Sequence, residues 1–170
     1  NLTNRCCNDC TFCLRNDGDG VGEDNLWLSK EPKAHEVIAA VARFAPSSYR
    51  DVVFCGYGEP TYALDVMREV ADYVHGIGKK TRLNTNGLGN VIQGKDIVPQ
   101  LKGKIDTVSV SLNECSAEKY DAVCRPNFDG AYDALKTFVR DCVAAGIDTV
   151  VSVVDVIGAE DIEICRKTAA

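Results

Sequence analysis

Strand-like and helix-like runs alternate along the 170 residues, which points to an α/β domain built on a parallel sheet. Three observations carry that expectation. Short apolar runs rich in β-branched residues recur at 51–55, 81–85, 106–112 and 148–154. Longer runs with apolar side chains three and four positions apart separate them, and glycine- or proline-bearing turns divide the two kinds. Strands joined through such helices make right-handed crossovers, so the loops that follow the strands emerge at one end of the sheet. About five βα units are too few to close an eight-stranded barrel, which leaves an open doubly wound sheet or an incomplete (βα) barrel.

In order along the chain, Asn1-Leu2-Thr3 reads as the end of a first strand. Residues 34–45 form a helix: Ala34, Val37, Ile38, Val41 and Ala45 share one face, and Pro32 stands near its start. Asp51-Val52-Val53-Phe54-Cys55 is a second strand. Residues 63–75 form a helix on the Val66, Val70, Val74 stripe, with Gly76 as its expected cap. Thr81-Arg82-Leu83-Asn84-Thr85 is a third strand, followed by the turn Asn86-Gly87-Leu88-Gly89 and a weaker helix over 91–101. Residues 106–112 form a fourth strand whose valines alternate with hydroxyl residues, as on a strand with one face toward a polar lumen. Residues 130–145 carry the stripe Leu135, Phe138, Val139, Cys142 and stop at Gly146. Residues 148–154 form a fifth strand and 160–168 a last helix. The chain opens on Asn1 and stops inside a helical pattern, so residues 1–170 read as one core domain cut short at both ends.

With 45% hydrophobic and 26% charged residues, the chain has material for a real core and is not a disordered tail. No apolar run approaches the roughly 20 residues that span a bilayer, and no signal peptide is visible. A net charge of -6 does not favour a nucleic-acid substrate. Nine cysteines, an odd number without a periodic framework, speak against a secreted disulfide scaffold and for a reducing, cytoplasmic setting. Cys142 and Cys165, on helical patterns, read as small buried apolar side chains.

Cys6, Cys10 and Cys13 stand as C-x3-C-x2-C. Three neighbouring thiolates can hold three irons of a cubane cluster and leave the fourth open, whereas such clusters more often have four cysteines. A structural zinc site wants four ligands in two close pairs; no second C-x2-C exists, and His35 and His75 both fall in helical patterns. Cys7, beside Cys6 in an extended loop, reads as structural. After the second strand comes Gly56-Tyr57-Gly58-Glu59-Pro60, where glycine permits close backbone approach and Glu59 offers an acceptor for a cation. Asn86 ends the third strand. Ser109, Ser111 and Asn113 fall on one face by the two-residue period, and hydroxyls with an amide suit a ribose or a carboxylate.

The cysteine loop, with Asn4-Arg5 before it and Phe12 between its last two cysteines, resembles that of radical S-adenosylmethionine (SAM) enzymes. Gly58-Glu59-Pro60 is similar to their Gly-Gly-Glu-Pro motif, which holds the amino group of SAM. Residues 154–161 resemble a degenerate form of their adenine-bracketing motif, through Val154, Val156, Gly158 and Asp161. Leu2-Thr3-Asn4-Arg5-Cys6, Ser111-Leu112-Asn113-Glu114 and Tyr120…Cys124-Arg125-Pro126 look most like the TatD-associated radical SAM proteins. The resemblance implies an incomplete, TIM-barrel-like (βα) barrel of about five units. It implies a [4Fe–4S] cluster on Cys6, Cys10 and Cys13, and SAM held by Phe12, Gly58, Glu59, Asn86, Ser111 and Asn113. It further implies an external one-electron donor of flavodoxin or ferredoxin type, and reductive cleavage of SAM to a 5′-deoxyadenosyl radical that takes hydrogen from a substrate. Cys124 and Arg125, a thiol and a cation in one loop, are the substrate-contact candidates. The alternative class is a non-catalytic iron–sulfur or zinc-binding module.

Overall fold

The computed structural model describes residues 1–44 and 48–169. Its centre is one parallel sheet of four strands in sequential order: β3 (Asp51–Phe54), β4 (Lys80–Thr85), β5 (Thr107–Ser111) and β6 (Asp148–Ser152). A separate antiparallel pair, β1 (Gly20–Val21) and β2 (Asp24–Asn25), precedes it. The register sets Phe54 beside Leu83, Thr85 beside Val110 and Ser111 beside Ser152, so the carboxyl ends lie in a row. β5 is covered on both faces, and Val108, Ser109 and Val110 are all buried, as a central parallel strand requires. The buried Ser109 corrects the expectation of a polar lumen along that strand. β3 and β6 are the edges, where Val53 and Val150 stay 46% and 42% exposed.

The fold is therefore α/β and parallel, with four strands rather than five. Residues 1–3 form no strand. They run along the loop after β3, where the Glu59 N–H donates to the Arg5 carbonyl at 2.8 Å. Asn1 ties the segment down: its Nδ2 donates to the Leu26 carbonyl at 2.8 Å and its Oδ1 accepts from Thr3 N.

The helices follow from apolar spacing. α1 (Ala34–Arg43) starts one residue after Lys33, whose backbone N–H is capped by the Glu36 carboxylate at 2.8 Å. The expected face position Ala45 lies outside the described residues. α2 (Leu64–Gly76) buries Leu64, Met67, Val70, Ala71 and Val74, while Val66 is only half-buried. Its end is capped at Ile77, and the left-handed turn falls on Gly78 (φ 72) instead of Gly76. The weaker helix expected at 91–101 is two short ones, α3 (Gly89–Gln93) and α4 (Val98–Leu101). α5 (Ala117–Cys124), which the periodicity does not announce, is capped by Ser116 Oγ accepting from Lys119 N. α6 (Ala131–Ala144) packs against α5, β5 and β6, and α7 (Ala159–Ala169) closes the described chain. Cys142 and Cys165 are buried among apolar neighbours, as expected. No helix among the described residues is long and apolar enough to cross a membrane.

Phe138 on α6 is fully buried in this core. Phe138→Ala should cost ~3–5 kcal/mol in urea unfolding. A loss under ~1 kcal/mol would mean that α6 is not seated as described.

Candidate functional site

The cysteine loop is held by the end of a helix. The last carbonyls of an α-helix lack intrahelical partners, and those of α5 receive the loop. Thr11 N donates to the Val123 carbonyl at 2.9 Å, and Asp9 N donates to the Cys124 carbonyl at 3.1 Å. Asn127 N reaches the Cys7 carbonyl at 2.9 Å, Asn8 forms an isolated antiparallel bridge with Pro126, and Asn8 Nδ2 donates to the Tyr120 hydroxyl at 3.0 Å. Cys124-Arg125-Pro126, taken from the sequence as a substrate loop, is the seat of the cysteine loop. Cys124 has no exposure, while Arg125 is exposed.

All nine thiols are free. Cys6 and Cys13 line a cleft of about 410 Å³ with Asn8, Asp9, Arg15, Asn16, Asp19 and Trp27. The Arg15 guanidinium lies over the Trp27 ring at 5.5 Å. The neighbouring Cys7 thiol, helped by the Asn8 N–H and Arg15, brings the Cys6 thiol down to about 7. Cys7, whose Sγ donates to Asn8 Oδ1 at 3.5 Å, is pushed up by the adjoining Cys6 thiol and by burial. Cys10 is turned the other way, toward Cys124, with its Sγ 3.6 Å from the Cys124 carbonyl. Its thiol is pushed up by the neighbouring Cys124 thiol and by burial.

Cys6, Cys10 and Cys13 do not draw together within 4.8 Å as ligands of one ion would. Tetrahedral zinc needs four donors on one centre. In a cubane each thiolate serves a different iron, so thiols too far apart for one ion still suit a [4Fe–4S] cluster once Cys10 turns from Cys124 toward the cleft of Cys6 and Cys13. One convergent donor group does exist, Glu114, Cys115 and Asp161. Lys119 already pairs with one of its two carboxylates, with Nζ 2.5 Å from Asp161 Oδ2. Asp161, an adenine-motif position in the sequence, is thus engaged by Lys119 and by the Cys115 thiol at 3.1 Å, and Val156 is exposed.

The loops after β3, β4 and β5 meet the cysteine loop from below. Glu59 is 3% exposed, and its side chain points inward. Its Oε1 accepts from Thr61 N, Thr61 Oγ1 and Thr85 Oγ1 at 3.1, 2.8 and 2.7 Å, and its Oε2 accepts from Asn86 N at 2.8 Å. The sequence suggested a carboxylate displayed to a cation; the structure gives one consumed by four protein donors, with burial pushing its pKa up against them. Asn86 passes the contact on, donating from Nδ2 to Cys7 Sγ at 3.2 Å. Gly58 admits protein rather than ligand: a Cβ there would lie 2.1 Å from the Thr3 carbonyl oxygen and 2.6 Å from that of Arg5.

Asn113, at φ 61 and 6% exposed, donates to Cys124 Sγ at 3.6 Å. Phe12 is half-buried against the core, and Ser111 is half-buried at the end of β5. Two hydrogen-bonded chains therefore join the cysteine loop to the strand ends, Cys7–Asn86–Glu59 and Cys10–Cys124–Asn113. What the sequence missed is α5. Its signals were the Ser116 cap and the Tyr120/Cys124 pair one turn apart.

A family model described as the Radical SAM superfamily matches residues 1–169. No curated protein sequence matches the chain. Among solved structures, a radical SAM methyltransferase from Sphaerobacter thermophilus superposes at TM-score 0.68 and 18% identity, over 96% of this chain and 50% of that one. Streptococcus suis SuiB bound to precursor peptide SuiA gives 0.74 and 16%, over 98% and 35%. HydG, a maturase of the [FeFe]-hydrogenase, gives 0.66 and 17%, over 99% and 37%. At these identities the likeness is one of fold, and the chain spans half or less of each of these proteins.

Two predictions follow from the geometry. Gly58→Ala should displace the Thr3–Arg5 backbone and cost ~1–3 kcal/mol in urea unfolding; a neutral result would remove the close approach. Glu59 has a folded pKa above its ordinary 4.5, so the folded chain keeps a proton that the unfolded chain releases. The linked stability is whole below that value and is lost as pH rises through the raised folded pKa. Glu59→Gln should flatten this part of a pH series of urea midpoints, and equal slopes in both proteins would contradict the assignment.

Proposed function

Because the chain belongs to the radical SAM superfamily, whose enzymes use a [4Fe–4S] cluster and SAM, we propose that it is the catalytic core of such an enzyme. The observation that carries this reading is the C-x3-C-x2-C loop held at the carboxyl ends of a parallel sheet. Cys6, Cys10 and Cys13 would hold three irons. Bound together, cluster and SAM supply reductive cleavage of a sulfonium and hydrogen abstraction from a substrate.

The chain's own residues bind and orient. Phe12, Ser111 and Asn113 stand at the end where SAM would sit. The loop at Gly58 would meet its amino group, since the Glu59 backbone and side chain are both occupied by protein. The Glu59 carboxylate then acts as a support, fixing Asn86 under Cys7. Arg125, exposed beside the seat of the cysteine loop, is the cation left for substrate. An external one-electron donor of flavodoxin or ferredoxin type would supply the electron. A reducing compartment such as the cytoplasm suits nine free thiols.

Within the superfamily, the TatD-associated group remains the finer reading. In its support, two of the three segments that carry that resemblance touch each other, and the third runs into the loop seated on them. Residues 2–6 lead into the loop that lies on Tyr120 and Cys124, and Asn113 reaches Cys124.

Anaerobic reconstitution should give about four irons per chain. Reduction with SAM should then yield 5′-deoxyadenosine, above all in a longer chain containing this core. Cys6→Ala, Cys10→Ala and Cys13→Ala should each abolish iron uptake, and Cys7→Ala should retain it. Loss in Cys7→Ala with retention in Cys13→Ala would reassign the ligands. Stoichiometric zinc without iron uptake would overturn the function.

A further inference from the structure

We propose that Cys10 and Cys124 are a thiol pair that closes to a disulfide under oxidation and shuts the cysteine loop against iron. The pair is made by the protein's own backbone. Residues 9 and 11 donate to the Cys124 and Val123 carbonyls at 3.1 and 2.9 Å, so Cys10 is pinned between two bonds to the segment that carries Cys124. Cys10 Sγ donates to the Cys124 carbonyl at 3.6 Å, so its thiol is turned onto the residue that carries the second sulfur. The surroundings are specialised. Asn113 and Arg125 are the two non-glycine residues with positive φ among the described residues, at φ 61 and 45. One donates to Cys124 Sγ at 3.6 Å and the other follows Cys124 in the chain. Strained backbone of this kind persists where the surroundings hold it in place.

Access orders the chemistry. Cys10 is half-buried and Cys124 wholly buried, so Cys10 meets the oxidant and Cys124 resolves. The oxidant is a low-molecular-weight disulfide such as glutathione disulfide. Cys10 gives up its proton and its sulfur attacks one of the two glutathione sulfurs, forming a mixed disulfide and releasing one glutathione, which takes the proton. The Cys124 thiolate then attacks the Cys10 sulfur; the Cys10–Cys124 bond forms, the bond to glutathione breaks, and the second glutathione leaves. Two protein thiols lose two electrons, glutathione disulfide gains them, and the two protein protons end on the two glutathiones.

The closure itself stands on geometry alone, and only its effect on iron rests on Cys10 being a cluster ligand. The test treats metal-free protein anaerobically with glutathione disulfide, alkylates the remaining thiols and maps linked peptides by mass spectrometry. It then measures iron uptake before and after dithiothreitol. A Cys10–Cys124 link is expected, with iron uptake lost in the oxidised protein and restored on reduction. Cys124→Ser should take up the same iron with and without oxidant pretreatment, and peptide mapping of the wild-type chain stands even if that variant folds poorly. No linked Cys10–Cys124 peptide, or a Cys6–Cys13 link in its place, overturns the pair while leaving the cluster reading intact. A Cys10–Cys124 link that leaves iron uptake unchanged overturns both the switch and Cys10 as a ligand.

Discussion

A single buried carboxylate decides how the carboxyl ends of this sheet are arranged. Glu59 leaves the end of β3 and accepts four hydrogen bonds, from the loop it stands in and from the end of β4. Burying a carboxylate is costly unless its oxygens are fully engaged, and here both are. The consequence is geometric. Asn86 is held by its backbone to Glu59 and by its side chain to Cys7. The backbone of Glu59 is held to Arg5. Two strand ends and the cysteine loop are thus tied to one side chain, and the position of Cys7 in that loop follows from it.

The other half of the arrangement is the C-terminus of α5. A helix ends with unsatisfied carbonyls, and the cysteine loop supplies the missing N–H groups. This mutual satisfaction lets a loop with little apolar surface sit in one place. The cleft beside Cys6 and Cys13 carries exposed Trp27 and the Arg15 cation over it, while Cys10 faces the interior. The three thiols therefore meet different surroundings, two toward solvent and one toward protein.

Much of this was legible in the sequence, and the exceptions have physical causes. β3, β4, β5 and β6 were visible because parallel strands bury β-branched runs such as Val108 and Val110. The cysteine spacing was visible because it is local. Residues 1–3 look like a strand by composition, yet the Asn1 and Asn4 side chains tie this segment to the carbonyls of Leu26 and Leu28, more than twenty residues away. α5 escaped notice because a helix of 8 residues buries only Tyr120 and Cys124, too short a stripe to announce a period. The inward turn of Glu59 was hidden for the same reason as residues 1–3. Its partners Thr85 and Asn86 are brought to it by the sheet, not by the chain. Cys124 read as a substrate group because its neighbour is a cation; its burial against Cys10 depends on a contact across 114 positions.

The central claim is that three protein thiolates hold the cluster and leave one iron to a small molecule. Electron paramagnetic resonance of the reduced, reconstituted protein, recorded with and without SAM, tests this most directly. The account predicts a [4Fe–4S] signal whose g-values shift when SAM is added, and which Cys7→Ala preserves. A reduced cluster whose spectrum is indifferent to SAM would mean that all four irons carry protein ligands, and would contradict it.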